Sequence, residues 1–231
     1  MRGFPNNSRY HTDMSNLRLT SPVVPDLRYA VYLPPSHQMA RAQVKIHDAL
    51  RQHYGLRAAS MFMPHVTIKG FFLSKANQEE IVSLLNPPLD GREAFEVFNG
   101  GVAAFGRDAI VIDLSTTTPQ GGSNTSLLLD LHKAVMEAVM PVVDPRCEFT
   151  REEKQWSYER FRAHLTLAMK DIPEHLFDEV FGFVRQAEPI GPPGFVAERV
   201  QLLAFHSNEW AGRWWERLGW QLVHSWKLSV P

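Results

Sequence analysis

One short phrase is written twice in this chain of 231 residues, and it constrains the fold more than any other feature. Phe62 to Phe72 reads FMPHVTIKGFF, and Phe161 to Met169 reads FRAHLTLAM. Each sets a His-x-Thr core among apolar neighbours. Short apolar runs rich in β-branched and aromatic residues predict buried strands. Residues two apart on a strand share a face. His65 and Thr67 therefore point one way, and Val66 and Ile68 point the other. His164 and Thr166 are opposed in the same manner to Leu165 and Leu167. Such strands need a core beneath one face and a polar site above the other.

The surroundings of the phrase repeat too. Each His-x-Thr strand is followed by a helical pattern and then by two strand patterns. The separation stays near one hundred residues, 99 between the motif histidines and 97 between Ala76 and Pro173, where the helices begin. This order predicts an α+β fold in which a duplicated unit forms two lobes related by an approximate two-fold axis. On that reading residues 1–27, rich in Asn, Ser, Arg and Pro, form a flexible arm, and residues 28–231 form one bilobal domain. The first lobe includes 63–73 and the second includes 161–169.

Several elements carry local signals. RYAVYLP, Arg28 to Pro34, has strand character, and Ser36 is placed to cap a helix whose Met39, Ala42, Ile46, Ala49, Leu50 and Tyr54 recur at helical spacing up to Gly55. Ile81, Leu84 and Leu85 mark a second helix, ended by Asn86-Pro87-Pro88. EAFEVFNGGVAAFG and DAIVIDLST read as two strands, and Leu128, Leu131, Val135 and Val139 as a third helix. Leu176, Phe177, Val180, Phe181 and Val184 line a fourth. FVAERVQLLAFH and RLGWQLVHSWKL close the chain as strands. Alternation in the last predicts Trp220, Leu222, His224, Trp226 and Leu228 on one face.

Composition narrows the chemistry. A formal net charge of −1 argues against a surface that coats polyanions, so contact with nucleic acid would be local. The single cysteine, Cys147, excludes an internal disulfide and any multi-cysteine zinc site. No apolar run reaches the roughly 18 residues of a membrane span, and the N-terminus lacks a secretory apolar stretch. These features predict a cytoplasmic monomer with no membrane partner and no cofactor.

Two imidazoles and two hydroxyls gathered around one cleft suit acid–base attack on a phosphodiester. A neutral histidine takes a proton from the attacking oxygen, and a protonated one supplies the leaving oxygen. An unperturbed histidine titrates near pH 6.5, so both forms are within reach near neutrality. Thr67 and Thr166 can donate to non-bridging phosphate oxygens. Strict alternation adds Lys69 to the first motif's face and Arg162 to the second's, as phosphate-binding charges or as solvent-facing bases at strand ends. Asp113, Asp130 and Glu198 are candidates to orient an imidazole. His47, His53, His132 and His175 fall on helices with nothing to recommend them.

The paired segments PHVTIKGFF and AHLTLAM, with RYAVYLP before them and VQLLAFHSNEWAGRWWERLGWQL after, resemble the two-histidine (2H) phosphoesterases, which include LigT-like 2′-5′ RNA ligases and cyclic nucleotide phosphodiesterases. The likeness runs from about Arg28 to Leu228. It implies antiparallel sheets lining a central groove with helices outside. It also implies catalytic roles for His65 and His164, and phosphate contacts from Thr67 and Thr166. The expected substrates are a nucleotide or RNA terminus with a 2′,3′-cyclic phosphate or a 2′-5′ linkage. A non-catalytic nucleotide-binding module and a 2′-5′ RNA ligase are the alternatives. Bases need stacking partners, for which Trp156, Tyr158 and Phe161 are placed just before the second motif. At most one of Trp210 and Trp214 is expected at the groove edge.

Overall fold

In a computed structural model, residues 26–115, 124–147, 149, 158 and 161–229 are described. The elements run β1 (Arg28–Leu33), α1 (His37–Tyr54), β2 (Val66–Phe72), α2 (Gln78–Leu89), β3 (Phe95–Phe98), β4 (Val102–Phe105) and β5 (Ala109–Asp113). They continue with α3 (Asn124–Val139), β6 (His164–Met169), α4 (Phe177–Gln186), β7 (Gly194–Ala197), β8 (Arg199–His206) and β9 (Gly219–Lys227). Ser36 Oγ caps α1 by accepting from Met39 N, and Gly55 ends it in the left-handed conformation at φ 72°. Asn77 and Glu80 form a reciprocal capping box on α2. That helix runs past Pro87 and Pro88 to Leu89. Leu89 is fully buried, and Asp90 N bonds Asn86 O, so packing holds the last turn despite the two missing N–H donors.

The fold is α+β, built on a seven-stranded antiparallel sheet in the order β4-β5-β6-β2-β1-β8-β9, with β3 and β7 paired in a second sheet. Segments read as single strands from the sequence divide here: β3 and β4 part at Asn99–Gly101, and β7 and β8 at Glu198, each half joining a different sheet. Element order repeats as β1-α1-β2-α2-β3-β4 and β5-α3-β6-α4-β7-β8. In the sheet the two sets exchange their last strands, since β4 pairs with β5 and β8 with β1. They meet where β2 and β6 pair through Val66 and Leu165.

All four helices contribute to one apolar layer. Met39, Leu50, Ile81, Leu85, Leu131, Val135, Val180 and Val184 pack there against Val31, Val66, Ile68, Ile112, Leu165 and Leu202. The opposite face carries a smaller cluster of Tyr32, Phe62, Phe71, Leu203, Phe205 and Leu218, with Trp210 and Trp214 against it. That second face bears the motif side chains.

Bulges correct two expectations from strict alternation. Along β8 and β9 the register slips between Leu202–His224 and Leu203–Leu222. Trp226 and Leu228 stay in the helix-side core, whereas Trp220 and Leu222 turn to the other face and are 44% and 51% exposed. Along β1 and β2 the register slips on both sides of the Val31–Lys69 pair. Each extra residue reverses the faces that follow it.

Candidate active site

Antiparallel pairing of Val66 with Leu165 places the two motifs head to tail. Continued one residue each way, that register sets His65 across from Thr166 and Thr67 across from His164. All four side chains line one cavity of about 200 Å³, together with Tyr32, Gln43, Phe62 and Trp214. Strands about one hundred residues apart in the sequence thus deliver two imidazoles and two hydroxyls to one volume.

Both imidazoles are tethered identically. His65 Nδ1 lies 2.7 Å from Met63 O, and His164 Nδ1 lies 2.7 Å from Arg162 O. A carbonyl oxygen only accepts, so each Nδ1 carries the hydrogen. Each neutral ring therefore keeps Nε2 as its unprotonated nitrogen, which a general base requires. A bulge follows each motif at the equivalent place, with Ile68 and Leu167 as the extra residues. Both plunge into the helix-side core.

The surroundings of the rings differ. His65 stacks on the buried Tyr32, centroids 3.7 Å apart, and meets Phe62 at 5.7 Å. Burial lowers its pKa to about 4, and the charges of His164 and His47 push the same way. His164 is held edge-on by Phe105 at 4.9 Å. Burial lowers its pKa as well; the bond to Arg162 O opposes this, and so does the charge of Asp113, its partner across β5 and β6. The register thus selects Asp113 from the three acids considered; Asp130 and Glu198 lie exposed elsewhere. Asp113 Oδ1 is itself fixed by the backbone and hydroxyl of Ser115.

Lys69 is not on the motif face. The bulge at Ile68 turns it beside Val31, 1% exposed, with Nζ 5.3 Å over the Phe72 ring and donating to Gly70 O at 3.2 Å. Phe71 takes the motif side instead. Arg162 does reach the site: its guanidinium lies 5.7 Å over Phe105, the ring that abuts His164.

A larger cavity of about 470 Å³ adjoins the first and shares Thr67, Gly70, Phe71, His164 and Trp214 with it. Phe161, Tyr158, Arg162 and Lys170 line it. Lys170 is the one non-glycine among the described residues with positive φ, at 64°. Trp156 lies outside the described residues. Trp214 borders both cavities, whereas Trp210 donates Nε1–H to Asp26 O.

Sequence reasoning passed over three polar residues of the first and third helices. His132, from α3, lines the larger cavity, donates Nδ1–H to Ile68 O at 2.6 Å and stacks on Phe161 at 4.3 Å. From α1, His47 Nε2 and Gln43 Nε2 both reach Thr166 O at 2.9 Å. Each helix thus bonds the motif strand of the other set. The available signal was a polar residue on an apolar helical stripe, as with His132 four residues after Leu128.

Fold and site together define the two-histidine phosphoesterase class. Residues 33–209 match the model of the 2′-5′ RNA ligase superfamily, and the chain belongs to that family. Among solved structures it is similar to TT0787 of Thermus thermophilus, at 15% identity and a TM-score of 0.54, covering 87% of this chain and 97% of that one. It is also similar to E. coli LigT complexed with NADP+, at 15% identity and a TM-score of 0.50, covering 89% and 98%. The ATP complex of LigT matches at 14% identity, a TM-score of 0.50, and coverage of 89% and 99%. No curated protein sequence matches the chain. Among the described residues no helix is long and apolar enough to cross a membrane.

Proposed function

We propose that this protein is a phosphodiesterase that opens 2′,3′-cyclic phosphates or cleaves 2′-5′ linkages at nucleotide or RNA termini, without a metal ion. One observation carries the reading: two imidazoles, each with Nδ1 tied to a carbonyl, line one cavity with two threonines. His65 acts as the base, because burial, helped by the charge of a protonated His164, keeps its Nε2 unprotonated. His164 acts as the acid, because Asp113 favours its charged form. Water's oxygen bonds phosphorus as the ribose oxygen leaves; His65 takes the proton of the first, and His164 gives one to the second. Thr67, Thr166 and Arg162 bind the phosphate oxygens. The base stacks in the larger cavity against Phe161, Tyr158 or His132. Nucleotides bound to LigT, a structural neighbour, are consistent with such a substrate.

The test is a panel of 2′,3′-cyclic nucleotides and of 2′-5′ and 3′-5′ oligonucleotides, run with EDTA. Turnover of the first two is expected to survive the chelator and to fall at least about 10²-fold in His65→Ala and in His164→Ala. Retained turnover in either variant overturns the assignment. Tight nucleotide binding with every diester intact would make the protein a binding module, and joining of 5′-hydroxyl ends would make it a ligase.

A further inference from the structure

Gln43 lies on the sheet-facing side of α1, 3% exposed, and its side chain lines the cavity of the four motif residues. The orientation of its amide is determined. Nε2 sits 2.9 Å from Thr166 O, which only accepts, so the donating end of the amide is the one placed there. Oε1 is left as a buried acceptor with no donor in reach among the described residues. Buried side-chain atoms of Arg92, Asp171 and Ser225 share that condition, and none of those residues lines this cavity.

Thr166 O already accepts from His47 Nε2 at 2.9 Å. A buried acceptor without a donor costs stability, and one kept beside a reactive cavity points to a partner that arrives with the reaction. We propose that Gln43 Oε1 accepts a hydrogen bond from the attacking water and so orients it. This rests on the reading of His65 as base. The strand register sets Thr166 across from His65, so an amide anchored on Thr166 serves the base's half of the cavity.

The chemistry favours such a partner. Water brings two O–H bonds, and the base consumes one. A fixed acceptor for the second removes the freedom to rotate and turns a lone pair toward phosphorus. The oxygen–phosphorus bond forms and the phosphorus–ribose oxygen bond breaks. One water proton passes to His65, and the proton of His164 passes to the ribose oxygen. Gln43 neither gains nor loses a proton. A neutral amide suits this role, since it does not compete with the imidazole as a base.

The experiment uses nucleophile competition. A 2′,3′-cyclic nucleotide is opened in mixed water and methanol by wild type and by Gln43→Met, and the monoester and methyl ester products are measured. Methanol has a single O–H, so it has no proton left for Gln43. Hydrolysis is expected to fall about tenfold or more in the variant, the worth of one net hydrogen bond or above, while methanolysis falls less than about threefold. Thermal stability should hold or rise, because His47 retains Thr166 O. An unchanged ratio in Gln43→Met overturns the proposal. So does a parallel loss of both products with a lowered melting temperature, which marks a packing role. Should Gln43→Met fail to fold, Gln43→Leu takes its place, and an unchanged ratio there overturns the proposal equally. If wild type opens no cyclic phosphate, the assignment of function fails first, and that result is separate from any product ratio.

Discussion

Tyr32 lies flat against His65, centroids 3.7 Å apart and planes within 12°. Tyr32 is buried, and its register partner on β2 is Thr67, so β1 supplies the dry wall of the cavity on the side of the first motif. A ring so covered is hard to charge, which is why the His65 pKa falls to about 4. Removing the wall should reverse that. In Tyr32→Ala the acid limb of kcat/KM is expected to move upward from about 4 toward the ordinary histidine value. Tyr32→Phe, which keeps the stacked ring, should leave that limb in place. A pH–rate profile of the three proteins on one cyclic nucleotide checks both.

Asp113 is expected to act on the opposite limb. It pairs with His164 across the strands and raises a pKa that burial lowers. The acid must be protonated, so activity is lost as pH rises through the His164 pKa, which lies below 6.5. The profile should therefore peak on the acid side of neutrality. Asp113→Asn removes the charge that favours imidazolium, and the descending limb is expected to shift to lower pH with the acid limb unmoved. A descending limb that stays put, or moves up, would remove Asp113 from the assignment of the acid. The two limbs belong to a coupled pair, and it is their separate displacement by two variants that identifies the partners.

What the sequence disclosed, and what it hid, follows from how each signal is encoded. The motif strands were legible because alternation is local and the phrase recurs. Ser36, Gly55 and the stripes of the four helices were legible for the same reason. A bulge leaves no mark in composition, since it adds one ordinary residue and reverses everything beyond it. That is how Lys69 entered the core and how Trp220 and Leu222 left it. Asp113 could not be chosen over its rivals, because pairing of β5 with β6 joins residues far apart in the chain. Gln43, His47 and His132 were visible as polar residues on apolar stripes, but only the packing shows that α1 serves the second motif and α3 the first.

Lys69 offers a direct check on that reading. Were it on the motif face it would meet the phosphate, and its loss would cost binding by about tenfold or more, as for other charged contacts. In the structure its side chain lies with Val31 and Phe72, away from the cavity. Lys69→Met, close in length and apolar, is expected to leave kcat/KM within about twofold to threefold of wild type. Arg162→Met should instead raise KM, since Arg162 lines the cavity next to His164. Steady-state kinetics on the same nucleotide separates the two.

Burial of His65, the proposed base, also makes stability depend on pH, and the sign follows from which state holds more protons. Unfolded, His65 binds a proton near pH 6.5. Folded, it does so only near 4. Between those values the unfolded chain carries the extra proton, so stability rises with pH across the window. The contribution of this residue is fully present above about 6.5 and is lost as pH falls toward 4. Phenylalanine at this position keeps a ring against Tyr32 and removes the titration. His65→Phe, inactive by design, should therefore show a smaller fall in melting temperature between pH 6.5 and 4 than wild type does. Carboxylates titrate in both proteins and cancel in the comparison, so the difference between the two curves reports His65 together with its coupling to His164 and His47. Parallel curves would mean that the imidazole is as easily charged in the folded protein as in the unfolded chain, and the base would then have to be sought elsewhere in the cavity.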